Sequence, residues 1–122
     1  MERQAFEKLL DEAIRELPAE FRDKLENVAV IVEDYPSEEL LEQQGLSGEE
    51  TLFGLYEGVP LTERRYFEQP FYPDRILIFQ GPIEDECDSP PEIKEEVKIT
   101  IVHEIAHFFG IDDRHLEDLG YG

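Results

Sequence analysis

The sequence predicts one α+β (α/β) domain over residues 1–122, in which a small sheet of three to four strands packs on an N-terminal helix and a second, longer helix. Three features lead to this prediction: apolar residues at helical spacing near the start, short apolar runs typical of strands, and a long capped helix pattern near the end. With 122 residues and 40% hydrophobic content, the chain can bury one core.

The first helix is predicted by a single apolar stripe among charged residues, because its members recur every three or four positions. Pro18 ends this helix, and residues 19–26 predict a short second helix that buries Phe21 and Leu25. The stripe consists of Phe6, Leu9, Leu10, Ala13, Ile14 and Leu17.

Three segments predict strands. Residues 28–32 form a continuous, largely β-branched apolar run that indicates a buried strand. Residues 51–57 form a second candidate, in which Gly54 and the following Gly58 favour an edge position. Residues 75–80 form the clearest strand, which Gly81 and Pro82 are expected to close.

The connections carry turn and cap signals. Ser37 can cap a short helix that reaches residue 42, and Gly45 and Gly48 then predict a loop. Residues 60–74 combine prolines with aromatic residues and predict a loop or a bent hairpin arm.

The long helix is predicted over residues 90–109. Ser89 is its expected cap, Pro90 its first residue and Glu92 the reciprocal partner of a capping box. Gly110 follows, where a left-handed residue commonly ends a helix. Beyond it, Leu116 and Leu119 predict one last short helical turn.

The charge excludes some partners. A net charge of −20, from 31 acidic and 11 basic residues, argues against nucleic acid and anionic membranes, which need basic patches. The acidic surface mainly indicates solubility. Cys87 is the only cysteine, which excludes an intrachain disulfide, and we expect neither a signal peptide nor a membrane-spanning segment. We therefore expect a cytoplasmic protein.

The chemistry is concentrated in the segment His103-Glu104-Ile105-Ala106-His107. On a helix, residues four apart lie on one face, so both imidazoles can bind the same zinc ion. The carboxylate of Glu104 can then reach a water molecule on that ion and act as a general base. The alternative is a purely structural role, in which both histidines pack in the core on a buried helix and Glu104 only forms an ion pair.

A catalytic zinc ion usually has three protein ligands. Gly110 lets the chain turn back after the helix, and Asp113 lies three residues beyond it, completing the pattern HExxHxxGxxD. Asp113 is the predicted third ligand, with Asp112 and His115 as alternatives. Both aspartates can also be simple turn residues.

With these residues the chain resembles the zincin superfamily, and most closely the minimal zincin-like bacterial metallopeptidases, a family long known only as a domain of unknown function. The resemblance also rests on residues 54–62 and on residues 73–76 with 79–82. It implies a compact minimal zincin fold, zinc held by His103, His107 and Asp113, and Glu104 as the base. It does not supply a substrate.

The resemblance thus predicts a zinc metallopeptidase, a hydrolase that cleaves peptide bonds. Its substrate would be an unknown peptide or protein, and Glu104 would activate the zinc-bound water that attacks the bond. An oxyanion donor is expected, and four tyrosines are candidates, although packing is the more common role for each of them. Substrate could pair with an edge strand, either residues 51–57 or 75–80. The candidate tyrosines are Tyr56, Tyr66, Tyr72 and Tyr121.

Two departures from metzincins favour alternatives. The only methionine is Met1, so a methionine turn beneath the metal is not expected, and nine residues follow Asp113, so no C-terminal subdomain is expected to wall the cleft. One alternative is a zinc-binding module without peptidase activity. The other is a protein-interaction domain with a vestigial site that binds a basic partner.

Overall fold

The computed structural model describes residues 1–46, 51–58 and 74–121. Within these ranges, six helices accompany one three-stranded sheet, which confirms the predicted α+β class. The helices are α1 (Arg3–Glu16), α2 (Ala19–Lys24), α3 (Glu38–Gln43), α4 (Gln80–Glu86), α5 (Pro90–Phe109) and α6 (Asp113–Asp118), and the strands are β1 (Val28–Glu33), β2 (Gly54–Glu57) and β3 (Asp74–Phe79).

The sheet has the order β1-β3-β2, with β3 parallel to β1 and antiparallel to β2. The three predicted strands are present, and β2 lies at one edge of the described sheet, as Gly54 indicates. The prediction that residues 28–32 form a buried strand is wrong, because β1 lies at the other edge of the described sheet and these residues are only half-buried. β2 is shorter than predicted because it begins only at Gly54. A Cβ at Gly54 would lie 2.7 Å from the Cγ2 of Thr100 in α5, so this glycine allows the strand to approach the helix closely.

The core lies where α5 packs on α1 and on one face of the sheet. Ile76 and Ile78 of β3 share this cluster with Ile101 and Ile105 of α5, and the predicted apolar stripe of α1 supplies Phe6 from the other side. All five side chains are fully buried. Burial of such side chains contributes about 1.5–3 kcal/mol each, so this contact fixes the position of α5.

The ends of α5 follow the predicted capping. The Oγ of Ser89 accepts a hydrogen bond from the backbone N–H of Glu92, Pro90 occupies the first helical position, and Gly110 ends the helix with φ +70°. The carboxylate of Glu92 accepts a bond from the N–H of Asp88 at 3.3 Å, one residue before the cap. These local signals place both ends of the helix that carries the HExxH segment.

The structure adds detail at two predicted boundaries. Gly81 and Pro82 follow the end of β3 as expected, and they lie within the helix α4. Proline is tolerated there because the first turn of a helix has no intrahelical acceptors for its N–H groups. The predicted final helical turn is confirmed as the short helix α6, which the carboxylate of Asp112 caps.

The predicted loop over residues 60–74 lies outside the described residues except for Asp74, which begins β3. Ser37 caps α3 as predicted, since its Oγ accepts a hydrogen bond from Leu40 at 3.0 Å. Among the described residues, no helix is both long and apolar enough to cross a membrane.

Candidate metal centre and active site

One face of α5 lines a groove of about 270 Å³. His103, Glu104 and His107 all contribute to it, so the structure brings together the three residues that the HExxH spacing predicts on one face. The same face continues two helical turns back to Glu96 and Thr100. The remaining described lining residues are Thr51, Leu52, Phe53, Gly54 and Ile99.

Residues 51–54, which lead into β2 and begin it, form the opposite wall. In a strand, the N–H and C=O of one residue point to the same side, and successive residues alternate. Phe53 accepts a backbone hydrogen bond from Phe79 in β3 at 2.9 Å, so the backbone of Gly54 and Tyr56 points away from β3. There the Oε1 of Glu104 accepts a bond from the N–H of Tyr56 at 2.9 Å. The proposed base is therefore anchored to the edge strand.

A backbone carbonyl orients the imidazole of His103, which is half-buried. Its Nε2 lies 2.8 Å from the carbonyl oxygen of Tyr121. A carbonyl only accepts, so Nε2 carries the proton in this contact. Tyr121 is itself held, because its N–H donates to the carbonyl of Leu116 at 2.8 Å and its ring packs near Phe21. Metal-binding histidines are commonly oriented by such an acceptor.

The residues after the helix are placed differently. Asp112 accepts a hydrogen bond on its Oδ1 from the N–H of His115 at 2.9 Å, as the cap of α6. The Nε2 of His115 pairs with Glu20 of α2 at 2.7 Å, which raises the pKa of this histidine. Asp113 is exposed at the first position of α6. The two alternative ligands thus have structural partners, and the role of Asp113 stays a prediction.

The donor chemistry suits zinc, because two imidazoles on successive turns of one helix face a common groove and zinc binds imidazole nitrogen readily. His103 has the oriented ring that such a ligand needs, and His107 is exposed. In residues 1–46, 51–58 and 74–121, however, no group of three or more His, Cys, Asp or Glu side chains is arranged to hold a metal ion. The described residues therefore bring two histidines to one groove, and their role as metal ligands stays a prediction.

The tyrosines predicted as oxyanion donors divide into three cases. The hydroxyl of Tyr56 donates to Asp74 at 2.8 Å and its ring stacks on Phe108, so this side chain packs between strand and helix. Tyr121 contacts the site through its carbonyl. Tyr66 and Tyr72 lie outside the described residues.

Sequence reasoning missed two participants. Glu96 and the HExxH histidines share a helix face, since residues seven apart nearly eclipse after two turns, so extending the helical pattern backwards would have found it. The carbonyl of Tyr121 carries no signal in the sequence, because every residue has a backbone carbonyl.

A helix that carries HExxH is typical of zinc metallopeptidases, and here it packs beside a small mixed sheet. Residues 25–122 match the family of zincin-like metallopeptidases. The chain therefore belongs to the zincin-like metallopeptidase family, which confirms the resemblance found in the sequence.

A solved structure has a similar fold. The chain is similar to a solved structure, a conserved hypothetical protein from Thermus thermophilus, with a TM-score of 0.55 and 24% identity over 98% of this chain and 97% of that one. At this identity the likeness concerns the fold alone. No curated protein matches the chain.

Proposed function

We propose that the protein is a zinc-dependent metallopeptidase that hydrolyses peptide bonds. The observation that carries the proposal is that His103, Glu104 and His107 line one groove beside β2, whose Tyr56 N–H binds Glu104. Family membership supports the same activity. We propose a peptide or protein as substrate, and the cytoplasm, where a thiol such as half-buried Cys87 stays reduced, as the compartment.

His103 and His107 would hold the zinc ion, with Asp113 as the proposed third ligand. When bound, zinc lowers the pKa of water and polarises a carbonyl. Glu104 takes the proton of the attacking water and delivers it to the leaving amine. The bond from Tyr56 holds one carboxylate oxygen of Glu104 on the strand side, so the other oxygen is available to the water. The Tyr121 carbonyl holds the ring of His103 in place.

A non-catalytic zinc-binding module is the second candidate. It is supported by the described residues, which gather two histidines and no third ligand group. The two candidates differ at Glu104, because metal binding alone does not need this carboxylate.

The deciding experiment measures bound zinc and cleavage of a broad peptide library on the same purified samples. We expect about one zinc ion per chain in the wild type and in Glu104→Gln, with cleavage reduced about 100- to 10,000-fold in the variant, the range that removal of a general base typically causes. Glu95→Gln, on the same helix but outside the groove lining, serves as the matched control and should cleave normally.

His103→Ala should lose zinc, because one of two ligands on the helix is gone. If the wild type binds zinc but is as inert as Glu104→Gln, the module is the correct function. If zinc uptake is absent from the wild type, or unchanged in His103→Ala, the metal centre itself is wrong.

A further inference from the structure

β2 runs alongside α5 in a fixed register. Gly54 faces Thr100, the N–H of Tyr56 binds Glu104, and a Cβ on Gly58 would lie 2.6 Å from the ring of Phe108. An advance of two residues along the strand therefore matches an advance of four residues along the helix. The lengths agree, since two strand residues span about 6.6 Å and four helical residues about 6 Å.

This register indicates which helix residues an extended peptide in the groove would pass. Glu96 lies seven residues before His103, which is about 10.5 Å along the helix axis. An extended peptide advances about 3.3 Å per residue, so the same distance corresponds to about three peptide residues. A peptide that lies along β2 and reacts beside His103 and Glu104 therefore passes Glu96 about three residues from the reacting bond.

The surroundings of Glu96 favour a cation. Its carboxyl is half-buried in the groove and forms no hydrogen bond or ion pair with any other residue that the structure describes. None of the described lining residues is a lysine or an arginine. Burial raises the pKa of Glu96 and the imidazole of His103 lowers it by less, so the carboxyl is partly desolvated.

We propose that Glu96 is a specificity residue that binds a lysine or arginine side chain of an extended peptide, about three residues from the bond that is cleaved. This inference rests on the proposed peptidase function. A carboxylate that is partly shielded from water binds an ammonium or guanidinium group more strongly than an exposed one does. Basic peptides are thereby selected over neutral and acidic ones.

The test compares three peptide sets that differ only at one position, Lys, Ala or Glu, scanned through four residues on each side of a cleaved bond. For zinc-loaded wild type, we expect kcat/KM for the Lys peptide to exceed that for the Ala peptide on the order of tenfold at the matching position. Glu96→Gln should remove this preference, and Glu96→Lys should reverse it toward the Glu peptide. Glu95→Gln changes the net charge equally on an exposed part of α5, and should preserve the preference.

Binding gives a readout that does not need cleavage. Fluorescence anisotropy with labelled Lys and Ala peptides on Glu104→Gln should show tighter binding of the Lys peptide, which is lost in Glu104→Gln/Glu96→Gln and kept in Glu104→Gln/Glu95→Gln. A wild type that cleaves without basic preference overturns the role of Glu96 but not the peptidase.

A uniform fall in cleavage of all three peptides in Glu96→Gln also overturns it, because that result assigns Glu96 to the support of His103. If nothing is cleaved, the peptidase proposal fails, and equal binding of Lys and Ala peptides rejects the specificity role as well.

Discussion

Gly54 shows how one residue sets the width of the site. Its position beside Thr100 and the backbone oxygen of Leu77 leaves no space for a side chain, since a Cβ would lie 2.7 Å and 2.9 Å from these groups. Because β2 carries the N–H that binds Glu104, moving the strand away from α5 also moves the anchor of the proposed base.

Gly54→Ala should lower the free energy of unfolding by about 1–3 kcal/mol, the usual cost of overpacking a tight contact. Urea denaturation measures this change in the free energy of unfolding. Removing the Cγ2 of the neighbour in Gly54→Ala/Thr100→Ser should restore part of the loss, while the contact with the Leu77 oxygen remains. Additive effects of the two substitutions would show that the close approach between strand and helix does not set the cost.

Gly110 is needed for a different reason. It ends α5 with φ +70°, and a Cβ at this position would have no neighbouring atom within 4 Å, so only the backbone conformation requires glycine. Gly110→Ala should cost about 1 kcal/mol of unfolding free energy from left-handed strain alone. Gly110→Asn, which tolerates this conformation better, should cost less in the same urea measurement. An equal cost for both would contradict the backbone explanation.

At the scale of elements, α6 is held to α2 by the pair of His115 and Glu20. The folded pKa of His115 is raised by this hydrogen bond, so the protonated histidine stabilises the fold. This contribution is complete below the unfolded pKa of about 6.5 and is lost as the pH rises through the higher folded pKa. The segment that holds Tyr121 against His103 is thus tied down more firmly in mild acid.

Glu20→Gln should therefore lower the free energy of unfolding at about pH 5.5 and have little effect at about pH 9, where His115 is neutral in both states. Urea titrations at the two pH values measure the difference. Glu117→Gln, an exposed carboxylate on α6 itself, is the control and should show a weaker pH dependence. An equal loss at both pH values would mean that the ionic pair contributes nothing.

At the scale of the whole molecule, a net charge of −20 on 122 residues means that most surface charges repel one another. Salt screens this repulsion and also weakens ion pairs such as Arg75 with Glu57, but exposed pairs contribute only about 0–1 kcal/mol each. Raising NaCl from about 10 mM to about 200 mM should therefore raise the Tm. Sucrose at matched osmolality controls for general exclusion effects, and a Tm that falls with NaCl would show that ion pairs outweigh the repulsion.

The sequence by itself determined the elements whose signals are local. Ser89 and Gly110 fixed the ends of α5, the β-branched runs marked β1 and β3, and the spacing of His103 and His107 placed both imidazoles on one face. Each depends on residues a few positions apart, within reach of helix and strand periodicity. The local pattern at Gly81 and Pro82 marked the end of β3 but did not reveal α4, because proline is compatible with both a turn and the first turn of a helix.

Only the tertiary structure decided which distant groups meet at the site. The bond from Tyr56 to Glu104 spans 48 positions, and that from His103 to Tyr121 spans 18 and uses a carbonyl common to every residue. Their existence depends on how β2 and α6 pack on α5, which no local pattern encodes. The same packing brings residues 51–54 opposite Glu96 and turns the HExxH helix face into one wall of a groove.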